Sequence, residues 1–171
     1  MNAQSEPGLG FDTNEIDEAF ADFNTSDILL VNVHQVQTLT PSLFTGDDIT
    51  FDQAINFNAE SIEMLYKVVK YFKDQGRTVY VLGISFGAFV VQEFIAKKGV
   101  DAADNYLIMV GSLDMNDVIW QGISEGRFGY FENGITPIVE DEIGTDVTDR
   151  NLDKLTAGLA MNRYTELLRK E

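Results

Sequence analysis

Three short apolar runs, separated by two helical repeats, constrain this chain more than any other feature. The first is Asp27-Ile28-Leu29-Leu30-Val31-Asn32-Val33-His34, the second Thr78-Val79-Tyr80-Val81-Leu82-Gly83, and the third Tyr106-Leu107-Ile108-Met109-Val110. Apolar, partly β-branched runs of this length fit strands buried on both faces. Between the first two, Ile62, Leu65, Tyr66, Val69 and Phe72 recur at the spacing of one helical face. Asn58 is a candidate N-cap for that helix, and Gly76 suits a left-handed C-terminal position. Phe86 to Lys98 reads as a second helix that stops near Gly99. The order strand, helix, strand, helix, strand predicts an α/β fold. Its sheet is expected to be doubly wound and mostly parallel, with helices on both faces.

A length of 171 residues suits a single domain. Residues 1–26 read as an acidic lead-in arm with a short helical pattern around Ile16, Phe20 and Phe23, and residues 27–113 as the core. Residues 114–139 hold Trp120, Phe128, Tyr130 and Phe131 among several glycines, and Asn133-Gly134 there is a hairpin signal. Residues 140–171 comprise an acidic stretch, in which no buried strand is expected, and a last helix from about Asn151 to Arg169.

Lys and Arg number 12 against 28 Asp and Glu, a net charge of −16. Nucleic acids and anionic membranes need a cationic surface, so neither is expected as the main partner. No apolar run approaches the roughly 18–20 residues of a membrane span. A soluble protein is expected, either cytoplasmic or exported with its signal peptide removed, since Asn2-Ala3-Gln4-Ser5 would suit a mature N-terminus. Asn24-Thr25-Ser26 matches a glycosylation acceptor, a pattern common by chance. The chain has no Cys and one His, His34, which excludes disulfides, thiolate metal sites and multi-histidine sites. No cofactor or metal is expected. Glu140, Asp141, Glu142, Asp146, Asp149 and Asp153 lack the spacing of a calcium loop and read as a solvated charge run.

Gly83-Ile84-Ser85-Phe86-Gly87 stands between the second strand and the second helix. A Gly-x-Ser-x-Gly sequence in that context can hold a serine on a sharp, strained turn. Glycines at both ends let the neighbouring backbone approach closely, and the helix N-terminus brings free N–H groups toward developing negative charge. The same turn could also belong to an ordinary doubly wound domain that binds an anion at the helix N-terminus.

On these residues the chain resembles the α/β-hydrolase superfamily. The resemblance spans about residues 27–115 and is strongest over residues 79–94. It implies Ser85 as nucleophile and the Phe86 N–H as one oxyanion donor. The second donor would come from the loop beginning at His34-Gln35; many members carry His-Gly there, and Gln35 is the corresponding candidate here. The family orders its residues Ser, acid, His, yet no His follows Ser85. The chain is therefore expected to be a truncated form, its acid and His lying beyond residue 171, or else a homologue that has lost hydrolysis. His34, at the same expected sheet edge as Ser85, is a candidate for loop structure or for general base. Asp114 stands where some members carry the acid, with a helix N-cap as its other candidate role. The aromatic segment falls where the family inserts a cap over its pocket; there it would line an apolar acyl or aryl site or complete the core. The expected function is a serine hydrolase acting on a small-molecule ester, thioester or amide, with a non-catalytic hydrolase-like binding domain as the alternative.

Overall fold

A computed structural model describes residues 27–41, 45–161 and 163–169. The lead-in arm, with its helical pattern around Ile16, Phe20 and Phe23, and the Asn24 triplet lie outside the described residues. Elements run in the order α1 (Val36–Leu39), α2 (Phe51–Asp74), β1 (Tyr80–Ile84), α3 (Phe86–Lys98), β2 (Asn105–Met109), α4 (Asp117–Ser124), β3 (Arg127–Glu132), β4 (Thr136–Ile143), α5 (Val147–Ala160) and α6 (Tyr164–Leu168). The class is mixed α/β. β1 and β2 pair in parallel, and β3 and β4 pair antiparallel as a separate sheet.

Helix α3 spans the residues expected of it. Its buried residues lie nearly all round, which suits a helix packed on several sides. It contacts β1, β2, α2 and α5. Phe86, Val90, Val91, Phe94 and Ile95 are buried in a core that also takes Ile62, Leu65 and Val69 from α2, Val81 from β1, and Leu155 and Leu159 from α5. Gly99, at a φ of 84°, closes the helix as a residue without Cβ can.

Helix α2 begins at Phe51, more than two turns before the start that an Asn58 cap would give. Thr50 caps it: its side chain accepts from the Gln53 N–H at 3.1 Å, and the Gln53 side chain accepts from the Thr50 N–H at 2.8 Å. Asn58 is therefore no cap. It is buried mid-helix, where its Nδ2 donates to the Leu155 carbonyl at 2.9 Å and ties α2 to α5. The expected C-terminal turn is present, with Gly76 at a φ of 74° and its N–H on the Lys73 carbonyl at 2.9 Å.

The first expected strand does not form. Residues 28–35 carry no regular element, and Ile28, Leu29, Leu30 and Val31 are exposed; the segment enters the core at Val33. An apolar run announces a need for cover but does not specify a pairing partner, which must be supplied from elsewhere in the chain. Helix α3 covers the β1–β2 face that carries Val81 and Gly83, while Tyr80, Ile84, Leu107 and Met109 on the opposite face are exposed. Cover by helices on both faces is thus absent among the described residues.

The C-terminal third also departs from expectation. Asn133 and Gly134, at φ values of 52° and 71°, turn the predicted hairpin. Its second strand continues through Glu140-Asp141-Glu142 to Ile143, so the start of the acidic stretch is an exposed strand. The last helix is two. Asp146 caps α5, accepting from Thr148 N–H at 2.7 Å and Asp149 N–H at 3.1 Å, and Arg163, at a φ of 49°, separates α5 from α6. Among the described residues no helix is long and apolar enough to cross a membrane.

Candidate functional site

Strand β1 delivers Ser85 to the N-terminus of α3 in a backbone conformation of φ 53°, ψ −120°. Such a conformation is strained for any residue with a Cβ. Two contacts hold it. The Ser85 N–H donates to the Met109 carbonyl of β2 at 3.0 Å, and the Ser85 carbonyl accepts from the Ala88 N–H at 2.9 Å. Strand and helix meet here without intervening side chain. A Cβ on Gly83 would lie 2.2 Å from the Gly87 carbonyl oxygen and 2.7 Å from Val91 Cγ2. That is the close approach the Gly-x-Ser-x-Gly spacing permits.

Ser85 is exposed, and its side chain makes no hydrogen bond to the helix it precedes. Phe86, the first residue of α3, is buried and anchors the turn in the core. Its N–H is among the four at a helix start that have no acceptor within the helix. The turn therefore sets an exposed hydroxyl at the start of a helix, one residue before the first of these N–H groups.

His34 and Gln35 lie at the entry to α1. Gln35 is 2% exposed and stands at the helix N-cap position without a side-chain capping bond. Its Oε1 accepts from Gln37 Nε2 at 2.7 Å, while its own Nε2 has no partner among the described residues. The Val36 N–H reaches Ser61 Oγ at 3.3 Å, so this loop is pinned to α2. His34 is half-buried at the start of the same loop.

Asp114 is engaged elsewhere than at the expected helix start. Asn116 is the cap of α4, accepting from Val118 N–H at 2.9 Å. Asp114 accepts instead from the Thr165 N–H of α6 at 3.1 Å, and this bonding holds its carboxyl below its ordinary pKa. The neighbouring Leu113 carbonyl takes the Tyr164 N–H at 2.9 Å.

The aromatic segment divides. Trp120 joins a second apolar cluster with Ile119, Ile123 and Ala157, packs edge-on to Phe51 and donates from Nε1 to the Ala157 carbonyl at 2.8 Å. Phe128, Tyr130 and Phe131 are exposed on β3, the first two stacked. A hollow of about 240 Å³ lined by Met115, Trp120, Ala160, Met161 and Arg163 lies at the junction of α4 with α5 and α6, away from the Ser85 turn. Among the described residues no cluster of three or more His, Asp or Glu is arranged to hold a metal ion.

Two features near the elbow escaped the sequence reading. Val110 has a φ of 55° directly after β2. Gln92 is 1% exposed, and neither of its side-chain polar atoms has a partner among the described residues. Gln92 had a legible signal, a polar residue within the apolar run of α3; Val110 had none. No family model, no curated protein and no solved structure matches the chain.

Proposed function

We propose that this chain is the nucleophile-bearing core of a serine hydrolase with a doubly wound, α/β-hydrolase-like sheet, acting on an ester, thioester or small amide. The strained Ser85 conformation, locked between Gly83 and Gly87, carries the reading. An ordinary strand-to-helix turn gains nothing from holding a serine at positive φ, and such strain clusters at functional sites.

Ser85 Oγ attacks the substrate carbonyl carbon as a general base takes its proton. The Phe86 N–H and a donor from the Gln35 loop stabilise the oxyanion, the leaving group departs with a proton, and water releases the acyl group. His34, on the loop that also carries Gln35, is the candidate for that base.

A single His, ahead of Ser85, favours a second reading, a non-catalytic hydrolase-like binding domain. One experiment separates the two. The protein is treated with a fluorophosphonate probe and assayed on short esters. Hydrolysis predicts label on Ser85 and a loss of more than about a thousandfold in Ser85→Ala. Absence of label, or equal activity in Ser85→Ala, sinks the hydrolase reading.

A further inference from the structure

Val110 occupies a conformation that its side chain resists. At a φ of 55° a β-branched residue is a steric outlier. Burial does not offset the strain, because Val110 is 80% exposed. Glycine or asparagine would make the same turn with less strain. The next residue, Gly111, is the one that has no room for a side chain: a Cβ there would stand 2.6 Å from Ala88 Cβ and 3.0 Å from Gln92 Nε2. Among the described residues, neither packing nor backbone geometry accounts for an isopropyl group at position 110.

Its neighbour across the sheet suggests what does. Ile84 and Met109 are paired in the parallel ladder, and Ser85 and Val110 are the residues that follow them. Adjacent strands lie about 4.8 Å apart, so the two left-handed residues stand side by side at one sheet edge. Ile84 and Met109 are themselves exposed. An open apolar surface therefore adjoins the nucleophile and continues its site.

We propose that Val110 is a specificity-determining residue of the Ser85 site, where its isopropyl group, together with Ile84 and Met109, supports an apolar acyl chain on the substrate. This rests on the hydrolase reading above. Only an occupant delivered to Ser85 uses the surface and the hydroxyl together, and an acyl chain attached to the attacked carbonyl meets that condition.

The test compares p-nitrophenyl octanoate with p-nitrophenyl acetate as substrates of the protein. Val110→Thr keeps the branched shape and replaces one methyl with a hydroxyl; the octanoate-to-acetate ratio of kcat/KM should fall about three- to tenfold. Val110→Gly should lower the same ratio while raising Tm, since it relieves the turn. Fluorophosphonate labelling of Ser85 is measured in parallel. Normal labelling with an unchanged ratio in both variants overturns the proposal and leaves the hydrolase reading standing. A lower Tm in both variants with an unchanged ratio also overturns it, identifying the occupant as protein. No labelling in the parent protein removes both readings.

Discussion

The Ser85 N–H donates to the Met109 carbonyl across 3.0 Å, which extends the β1–β2 ladder one residue past β1 and into the turn. The strained serine is thus part of the sheet at its N–H and part of α3 at its carbonyl. Displacing either element displaces the hydroxyl.

Gly83 governs how closely those two elements meet. In Gly83→Ala the new methyl would stand 2.2 Å from the Gly87 carbonyl oxygen and 2.7 Å from the Gly87 carbonyl carbon. Backbone cannot rotate away as a side chain can, so strand and helix must separate. The expected loss is about 3 kcal/mol or more, at the upper end of overpacking effects. Urea denaturation measures it; stability within about 0.5 kcal/mol of the parent would contradict the contact.

Residues that act over short sequence distances were the legible ones. Gly83, Ser85 and Gly87 announce their turn because only that spacing lets a strand and helix touch, and Asn133-Gly134 announces its hairpin through two positive φ values. The Thr50–Gln53 box was also readable, but Asn58 stood nearer the apolar stripe; its burial comes from α5, 97 residues away. Residues 28–33 failed for the same reason. Their composition is that of a strand, while forming one depends on a distant pairing partner that composition does not specify. The Asp114 contact with Thr165, 51 residues on, has no local signature either.

Tyr164 and Glu93 form a buried pair that joins α6 to α3. Tyr164 is fully buried, and its hydroxyl donates to Glu93 Oε2 at 2.7 Å. Burial, reinforced by the Glu93 charge, pushes the phenol pKa up and keeps it a donor. Tyr164→Phe should destabilise by about 1–3 kcal/mol, because a buried carboxylate loses a close donor. Combining it with Glu93→Gln should give a total smaller than the sum of the single changes. Strict additivity in a double-mutant cycle by denaturation would show that the two side chains do not interact.

Asp153 carries a pH-dependent penalty. Burial, and then the nearby charge of Asp149, raise its pKa from an ordinary value near 4 to about 6. Between those values the folded chain binds more protons at this site than the unfolded chain does. Its contribution to stability is therefore greatest below about pH 4 and is lost as pH rises through about 6. Asp153→Asn should stabilise at pH 7 by about 1–2 kcal/mol, allowing for solvent screening. The gain should vanish near pH 3.5. Thermal unfolding at both pH values checks this, and equal effects at the two would exclude titration as the cause.

Asp48 predicts the opposite slope. Arg150 binds its carboxylate with Nε and Nη2, each at 2.8 Å, and Lys154 approaches at 3.3 Å. The Arg150 hydrogen bonds lead in holding the Asp48 pKa down at about 2. A depressed pKa means that stability present above about pH 4 is lost as pH falls through about 2. The carboxylate is half exposed, so the contribution is about 1 kcal/mol. Asp48→Asn should lower stability by that amount at pH 7 and by less at pH 2. Asn151 would hold the loop in either case, since its Oδ1 takes the Ile49 N–H at 2.9 Å and its Nδ2 donates to the Asp47 carbonyl at 3.0 Å. Asn151→Ala should therefore destabilise more than Asp48→Asn, because the substitution leaves the Ile49 N–H buried without its acceptor. Parallel denaturation of the two variants decides the order, and an Asp48→Asn loss equal to or above that of Asn151→Ala would mean that charge, not the buried amide, fixes this loop to α5.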